Sequence, residues 1–311
     1  MAAAAGGSAA DPQQRLRALL EQLDHAPADA DGWRQLGQLL QAQGRLEEAL
    51  PCLERACELE PAHLGGHSAL GHLCRNLSLP EQAIHHHGLA LALEPDSLTL
   101  ALNHAFVLPV VGASSAELEH YRQRCLEHLE RMEARPAWGW FREHEFTCHP
   151  YYLIYNPDNP LDILRRYGAL VTRWMAPDLA SAPLLHRQPG QRLRLGLLSG
   201  FFHEHSHARA FEGLISGLKD ASLETVLIHL SSAASDAVSE RLGQACSRVV
   251  RLPAQSGAAM AALADLQLDA LFFTDLGMHP QMTLLATRRH APLQLTGWGV
   301  PQSSGLPCID H

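Results

Sequence analysis

Between residues 12 and 133 the apolar positions recur every three or four residues, the spacing of helices that each bury one face. Pro27, Pro61 and Pro95 punctuate this stretch at a constant interval of 34 residues. Proline cannot donate the backbone bond that a helix interior needs, so each one marks a helix end. The pattern predicts a helix over 12–24, helical pairs over 30–97, and a helix over 115–133 with Leu118, Tyr121, Cys125, Leu129 and Met132 on one face. From about residue 190 the pattern changes. LRLGLLSG (193–200), TVLIHL (225–230), SRVVRLP (247–253), LDALFFTD (268–275) and LQLTGWG (293–299) read as strands. Helices are predicted between them at 206–219, at 235–246, up to Leu266, and at 280–289. Apolar strands alternating with helices imply a parallel sheet covered on both faces. The expected fold class is therefore α plus α/β, a short helical solenoid followed by a Rossmann-like doubly wound lobe. Its expected parts are a disordered tail (1–11), a helical domain (12–135), a helical linker (136–190) and the lobe (191–311).

The 34-residue period has a recognisable content. Trp33, Leu36, Gly37, Leu40, Gly44, Ala49, Leu53, Ala56 and Pro61 fit the tetratricopeptide pattern. One period later the same positions hold His67, Leu70, Gly71, Cys74, Ser78, Ala83, His87, Ala90 and Pro95. Small residues at 37, 49, 56, 71, 83 and 90 let the two helices of each hairpin approach closely. Such arrays bind partners on the face lined by the first helix of each pair. Here that face carries Arg34, Gln38, Gln41, Ser68, His72 and Arg75, the candidate contacts for a protein or peptide partner. His85, His86 and His87 are consecutive and so point around a helix in three directions, which predicts a solvated face and not a metal tract.

Length and charge narrow the class. At 311 residues there is room for two domains, and 46% hydrophobic with 18% charged residues suits a soluble globular chain. No apolar run approaches the roughly 20 residues that span a bilayer. The opening MAAAAGGSAADPQQ lacks the basic start and apolar stretch of a signal peptide. A net charge of −9 without a basic block argues against nucleic acid as the partner. Seven cysteines without a CxxC pair suggest core thiols in a reducing compartment, hence a cytoplasmic location.

In doubly wound sheets, chemistry gathers beyond the carboxyl ends of the strands. That rule selects Ser199 to Arg209, Thr274 to His279, and Gly299 to Gly305. The first, SGFFHEHSHAR, alternates His203, His205 and His207. Three readings stand: a metal site, which needs further ligands that no spacing marks; a single histidine as acid, base or hydrogen-bond donor; or exposed loop histidines. The third segment, GVPQSSG, fits neither a P-loop nor a dinucleotide fingerprint.

Taken together, these segments resemble the O-linked N-acetylglucosamine transferases and their bacterial relatives. The resemblance is carried by the repeats, LGLLSGFFHEH (195–205), APLQLTGWGVPQSSG (291–305), and FTCHPYYLIYNPDNP with YGALVTRW in 146–174. It implies a GT-B enzyme that moves N-acetylglucosamine from UDP-GlcNAc to Ser or Thr of proteins, without a metal or other cofactor. It assigns the active-site histidine to His205. The accompanying cleft residues would be Ser199, Arg209, Asp275, Pro301, Ser303, Ser304 and Gly305. The sequence departs from the family pattern in places. Arg209 stands where a second histidine is found, Asp269 and Asp275 replace a histidine and an asparagine, and the asparagine ladder is reduced to Gln35, Ala69 and Asn103. The family's second lobe, which holds most nucleotide contacts, would need one to two hundred more residues by usual domain sizes. The chain alone is therefore expected to be inactive. The alternative function is a non-catalytic repeat adaptor with a remnant transferase lobe.

Overall fold

The computed structural model describes residues 11–135, 137–139, 141–143, 146–148, 150–155, 158–175, 190–218, 222–298, 300 and 303–311. The chain divides into two compact units, Met1–Gly112 with Ala137–Thr147, and Ala113–Pro136 with Cys148–His311. This partition differs from a boundary at 135, because the helix over Ser115–Glu133 falls in the second unit.

The first unit is built from α1 (Pro12–His25), α2 (Ala30–Ala42), α3 (Leu46–Leu59), α4 (Leu64–Asn76), α5 (Pro80–Leu93) and α6 (Leu98–Ala105). Starts are fixed by side-chain caps. Asp29 accepts from the Gly32 N–H at 3.0 Å, and Ser97 accepts from the Leu100 N–H at 3.3 Å. Helices α2 and α3 pair as one hairpin, and α4 and α5 as the next. Close approach depends on glycine. A Cβ on Gly37 would lie 2.6 Å from Leu53 Cγ, and one on Gly71 would lie 2.8 Å from the His87 ring. Leu36, Leu40, Leu53, Leu70 and Leu73 form the spine of the core.

The second unit contains α7 (Ser115–Glu133), α8 (Leu161–Met175), and a sheet with its helices. These are β1 (Leu193–Ser199), α9 (Ser206–Gly217), β2 (Leu223–His229), α10 (Ala237–Gln244), β3 (Arg248–Arg251), α11 (Ser256–Asp265), β4 (Ala270–Phe273), α12 (Pro280–Leu285) and β5 (Leu293–Thr296). Helix α8 packs on α7, where Arg166 grips Glu133 through two bonds of 3.0 and 2.7 Å. The expected helix over 280–289 stops at Leu285, and the expected strand over 293–299 stops at Thr296. All five strands are parallel, in the order β3-β2-β1-β4-β5. Strand alternation sends Leu198, Val226, Ile228, Leu271 and Phe273 into one core layer with α11 and α12. It sends Leu197, Leu227 and Phe272 into the other, with Phe211 and Ile215 of α9. The sheet is thus covered on both sides, as the continuous apolar runs require. No helix of the described residues is long and apolar enough to cross a membrane.

Candidate functional site

The strand order places a topological switch point between β1 and β4. There the chain leaves β1 toward one edge and reaches β4 on the other side, opening a crevice at the carboxyl ends. Two of the three segments selected from sequence meet here, the loop after β1 and the turn after β4. Gly200 N–H donates to Asp275 Oδ2 at 3.1 Å, and Phe201 N–H donates to Ser199 Oγ at 2.9 Å. The Ser199 hydroxyl lies beside the Asp275 carboxyl and lowers its pKa. Both Ser199 and Asp275 have 0% exposure. They therefore do not line a cleft, as the family resemblance implied; they tie two loops together from beneath. Burial pushes the Asp275 carboxyl up to about 7, against the Gly200 N–H bond and the neighbouring Ser199 and Thr274 hydroxyls.

His205 is half-buried and caps α9. Its Nδ1 accepts from the His207 N–H at 3.1 Å, and its ring stacks on Phe201 with centroids 4.8 Å apart and planes at 29°. A neutral imidazole whose Nδ1 accepts carries its proton on Nε2, so the ring offers a hydrogen-bond donor at that atom. His207 is buried instead. Its Nε2 lies 3.0 Å from Thr274 Oγ1, whose hydroxyl donates to the Leu198 carbonyl at 3.1 Å. Burial, followed by the neighbouring His205, brings the His207 ring down to about 4. The alternating histidines thus turn to different tasks. Among the described residues no three His, Cys, Asp or Glu side chains converge on a position that would hold a metal ion. Arg209 sits one turn into α9 with its side chain 74% exposed, paired with Glu204.

The third segment lies elsewhere on the same unit. Pro301 and Gly299 fall outside the described residues. Ser303, Ser304 and Gly305 border a cleft of about 450 Å³ with Arg165, Thr296 and Asp310. Ser303 and Ser304 also share a cavity of about 20 Å³ with Leu276 and Gly277 of the turn after β4. Gly305 has φ +67°, and a Cβ there would come within 2.2 Å of the Leu164 backbone. Asp310 closes this rim by pairing with Arg289 through two 2.7 Å bonds, which hold its carboxyl down to about 2.

On the repeat unit the expected partner face is only partly open. Gln38 is exposed, Arg34 pairs with Asp31, and Gln41 is half-buried. Ser68 is buried, and two further candidates are already engaged by the chain itself. Arg75 donates to the Thr147 carbonyl and hydroxyl at 3.0 and 3.2 Å, while Asn103 Oδ1 accepts from the Thr147 N–H at 3.3 Å. The amide of Asn103 lies 3.3 Å from His72 Nε2. Farther along the segment, Thr99 Oγ1 accepts from the Arg142 N–H at 2.8 Å, and Arg142 grips Glu94 at 2.6 and 3.0 Å. Thr147 therefore engages Arg75, and Asn103 engages His72, on the face that His72 and Arg75 were expected to offer. The solvated reading of 85–87 also needs correction. His85 is exposed, but His87 has 0% exposure beneath Gly71. The signal was present in the sequence, since His87 is the period-equivalent of Leu53.

Residues 30–63 match the family model described as tetratricopeptide repeat. Among solved structures, a mutant O-GlcNAc transferase from Thermobaculum terrenum superposes over 97% of this chain and 50% of its own, with 21% identity and a TM-score of 0.64. The fold is that of about half of this O-GlcNAc transferase. This chain spans about half the length of that transferase. MamA MSR-1 matches over 39% of this chain and 68% of its own, at 22% identity and a TM-score of 0.32. YrrB, described as a TPR protein with an unusual peptide-binding site, matches over 51% of this chain and 66% of its own, at 16% identity and a TM-score of 0.32. Scores at that level add nothing on the fold. No curated protein matches the chain.

Proposed function

We propose that this chain is the repeat and acceptor-side portion of a protein O-glycosyltransferase, which moves N-acetylglucosamine from UDP-GlcNAc to Ser or Thr of protein substrates. The observation that carries the reading is His205, held at the switch point of the sheet with a donor nitrogen on offer. In this role the Nε2–H would hydrogen-bond an oxygen of the sugar or of the acceptor as charge develops there. The repeats would recruit the protein substrate, with Arg34, Gln38 and Gln41 as the open part of the face. Arg209 would adjust approach to the crevice from the exposed side of α9. Further chain beyond these residues would supply the nucleotide contacts, and no cofactor enters the scheme.

The test is transfer of labelled N-acetylglucosamine to protein by the product of the complete reading frame, with His205→Ala alongside. The expected result is transfer by the wild type and a loss on the order of 100-fold or more in the variant. Full transfer by the variant removes His205 from the mechanism. Absence of transfer from any sugar nucleotide, with protein capture by the repeats retained, supports the adaptor reading in its place.

A further inference from the structure

The turn after β4 does more than border the crevice. Its first two residues hold the loop after β1 at both ends. At the start of the loop, Asp275 takes the Gly200 N–H directly, and the Ser199 hydroxyl beside it takes the Phe201 N–H. At the end of the loop, Thr274 takes the buried His207 ring at 3.0 Å, which seats the first turn of α9. Between these clamps lie Phe201 and His205, ring on ring. The orientation of His205 therefore depends on two contacts, the His207 N–H that fixes its Nδ1 and the Phe201 face that fixes its plane. Both partners are held from β4.

We propose that Asp275 is the positioning residue of the His205 loop, acting through Gly200 to set the Phe201 ring on which His205 stacks. The significance for catalysis rests on the role given to His205 above; the structural claim does not. A carboxyl fits this task because one oxygen accepts the Gly200 N–H while the other lies beside the Thr274 hydroxyl. A carboxyl with no exposure also explains itself here. Such a group is costly to bury, and it persists where the donors around it have no other acceptor. An amide side chain at 275 retains one acceptor oxygen of the same shape, so Asn should preserve most of the anchoring and Ala should lose it.

Hydrogen exchange on the full chain tests this, comparing wild type, Asp275→Asn and Asp275→Ala. In Asp275→Ala the amides over 200–206 should exchange on the order of 10-fold faster, while those of β2 and α4 keep their protection. In Asp275→Asn the same amides should stay near the wild-type rate. The histidine NMR signal lost in His205→Asn should shift in Asp275→Ala, because the Phe201 ring has moved, and return in Asp275→Asn. Unchanged exchange over 200–206 in a folded Asp275→Ala protein overturns the proposal, and so does equal loosening by Asn and Ala. If Asp275→Ala does not fold, Asp275→Leu decides, since it fills the same space and removes the acceptor for the Gly200 N–H alone. Faster exchange from Phe201 to His205 then supports the proposal, and an unchanged rate rejects it. Neither measurement uses donor or acceptor. A protein that transfers no sugar leaves this proposal standing, and a loop indifferent to Asp275 leaves the transferase reading to its own test.

Discussion

Gly305 shows how a single residue fixes a cleft rim. Its backbone is left-handed, and any Cβ would meet Leu164 at 2.2 Å; a Cβ added to Gly168 of the same helix would in turn lie 2.5 Å from the Gly305 carbonyl. Both a strained φ and a backbone clash oppose a side chain here. Gly305→Ala should cost about 2–4 kcal/mol, read as a lower urea midpoint for the second unit. Asp275 gives a prediction of different form. Its folded value is raised from 3.8 to about 7, so the folded state keeps the proton that the unfolded state releases above 3.8. The protein therefore loses stability as pH rises from 3.8 toward 7, and loses no more beyond that. Asp275→Asn, which never ionises, should gain on wild type by about 1.4 kcal/mol per pH unit across that window. Denaturation at pH 4, 6 and 8 checks it; a difference that does not grow with pH contradicts the assignment. The sequence marked both positions as functional through the family resemblance. It could not show that one is a rim and the other a buried clamp, because exposure is set by which strand lies next to which.

At the scale of elements, the repeat hairpins follow their periodicity closely. Leu53 and His87 occupy the same site beneath Gly37 and Gly71, so the hairpin forms even where the large apolar residue has become histidine. The exception is the segment over 137–147. Its contacts come from Arg75, Thr99 and Asn103, residues between 43 and 72 positions away from those they hold. No local pattern in the sequence announces such pairing, and His72 and Arg75 looked free for that reason. Asn103→Ala should remove the anchor of the Thr147 amide and cost about 1–2 kcal/mol. Exchange of that amide should rise, while the amides of α2 and α3 stay protected. If Thr147 exchanges at an unchanged rate, Asn103 is not what holds the segment.

The whole molecule is rich in neutral buried histidine. His67 Nε2 lies 2.9 Å from the Pro61 carbonyl, which requires a proton there and leaves Nδ1 to accept from His86 Nδ1 at 3.2 Å. Ring centroids 5.4 Å apart put those nitrogens nearly in line, the geometry of an N–H···N bond. Burial brings His72 to about 3, His86 to about 4, and His87 well below its usual range in the first unit. It brings His207, His229 and His290 to about 4 in the second. In each case the unfolded chain takes up a proton near pH 6.5 that the folded chain refuses. Stability is then complete above pH 6.5 and falls as pH drops toward 4. Asp275 works in the opposite direction, but it is one group against six. Denaturant midpoints at constant ionic strength should drop between pH 7.5 and 4.5, and equal midpoints would count against these burials. What the sequence determined alone was whatever is written in short-range periodicity: the repeat pairs, the alternation of strands and helices, the prolines that end them, and the loaded loop around His205. Periodicity works because a helix or strand must present one face to a core, and that face repeats along the chain. The tertiary structure decided what depends on distant partners. The order β3-β2-β1-β4-β5 brought Asp275 under Gly200, the fold of the first unit joined Thr147 to Arg75 and Asn103 to His72, and burial separated His207 from His205. Those outcomes turn on contacts between residues far apart in the chain, which no local pattern encodes.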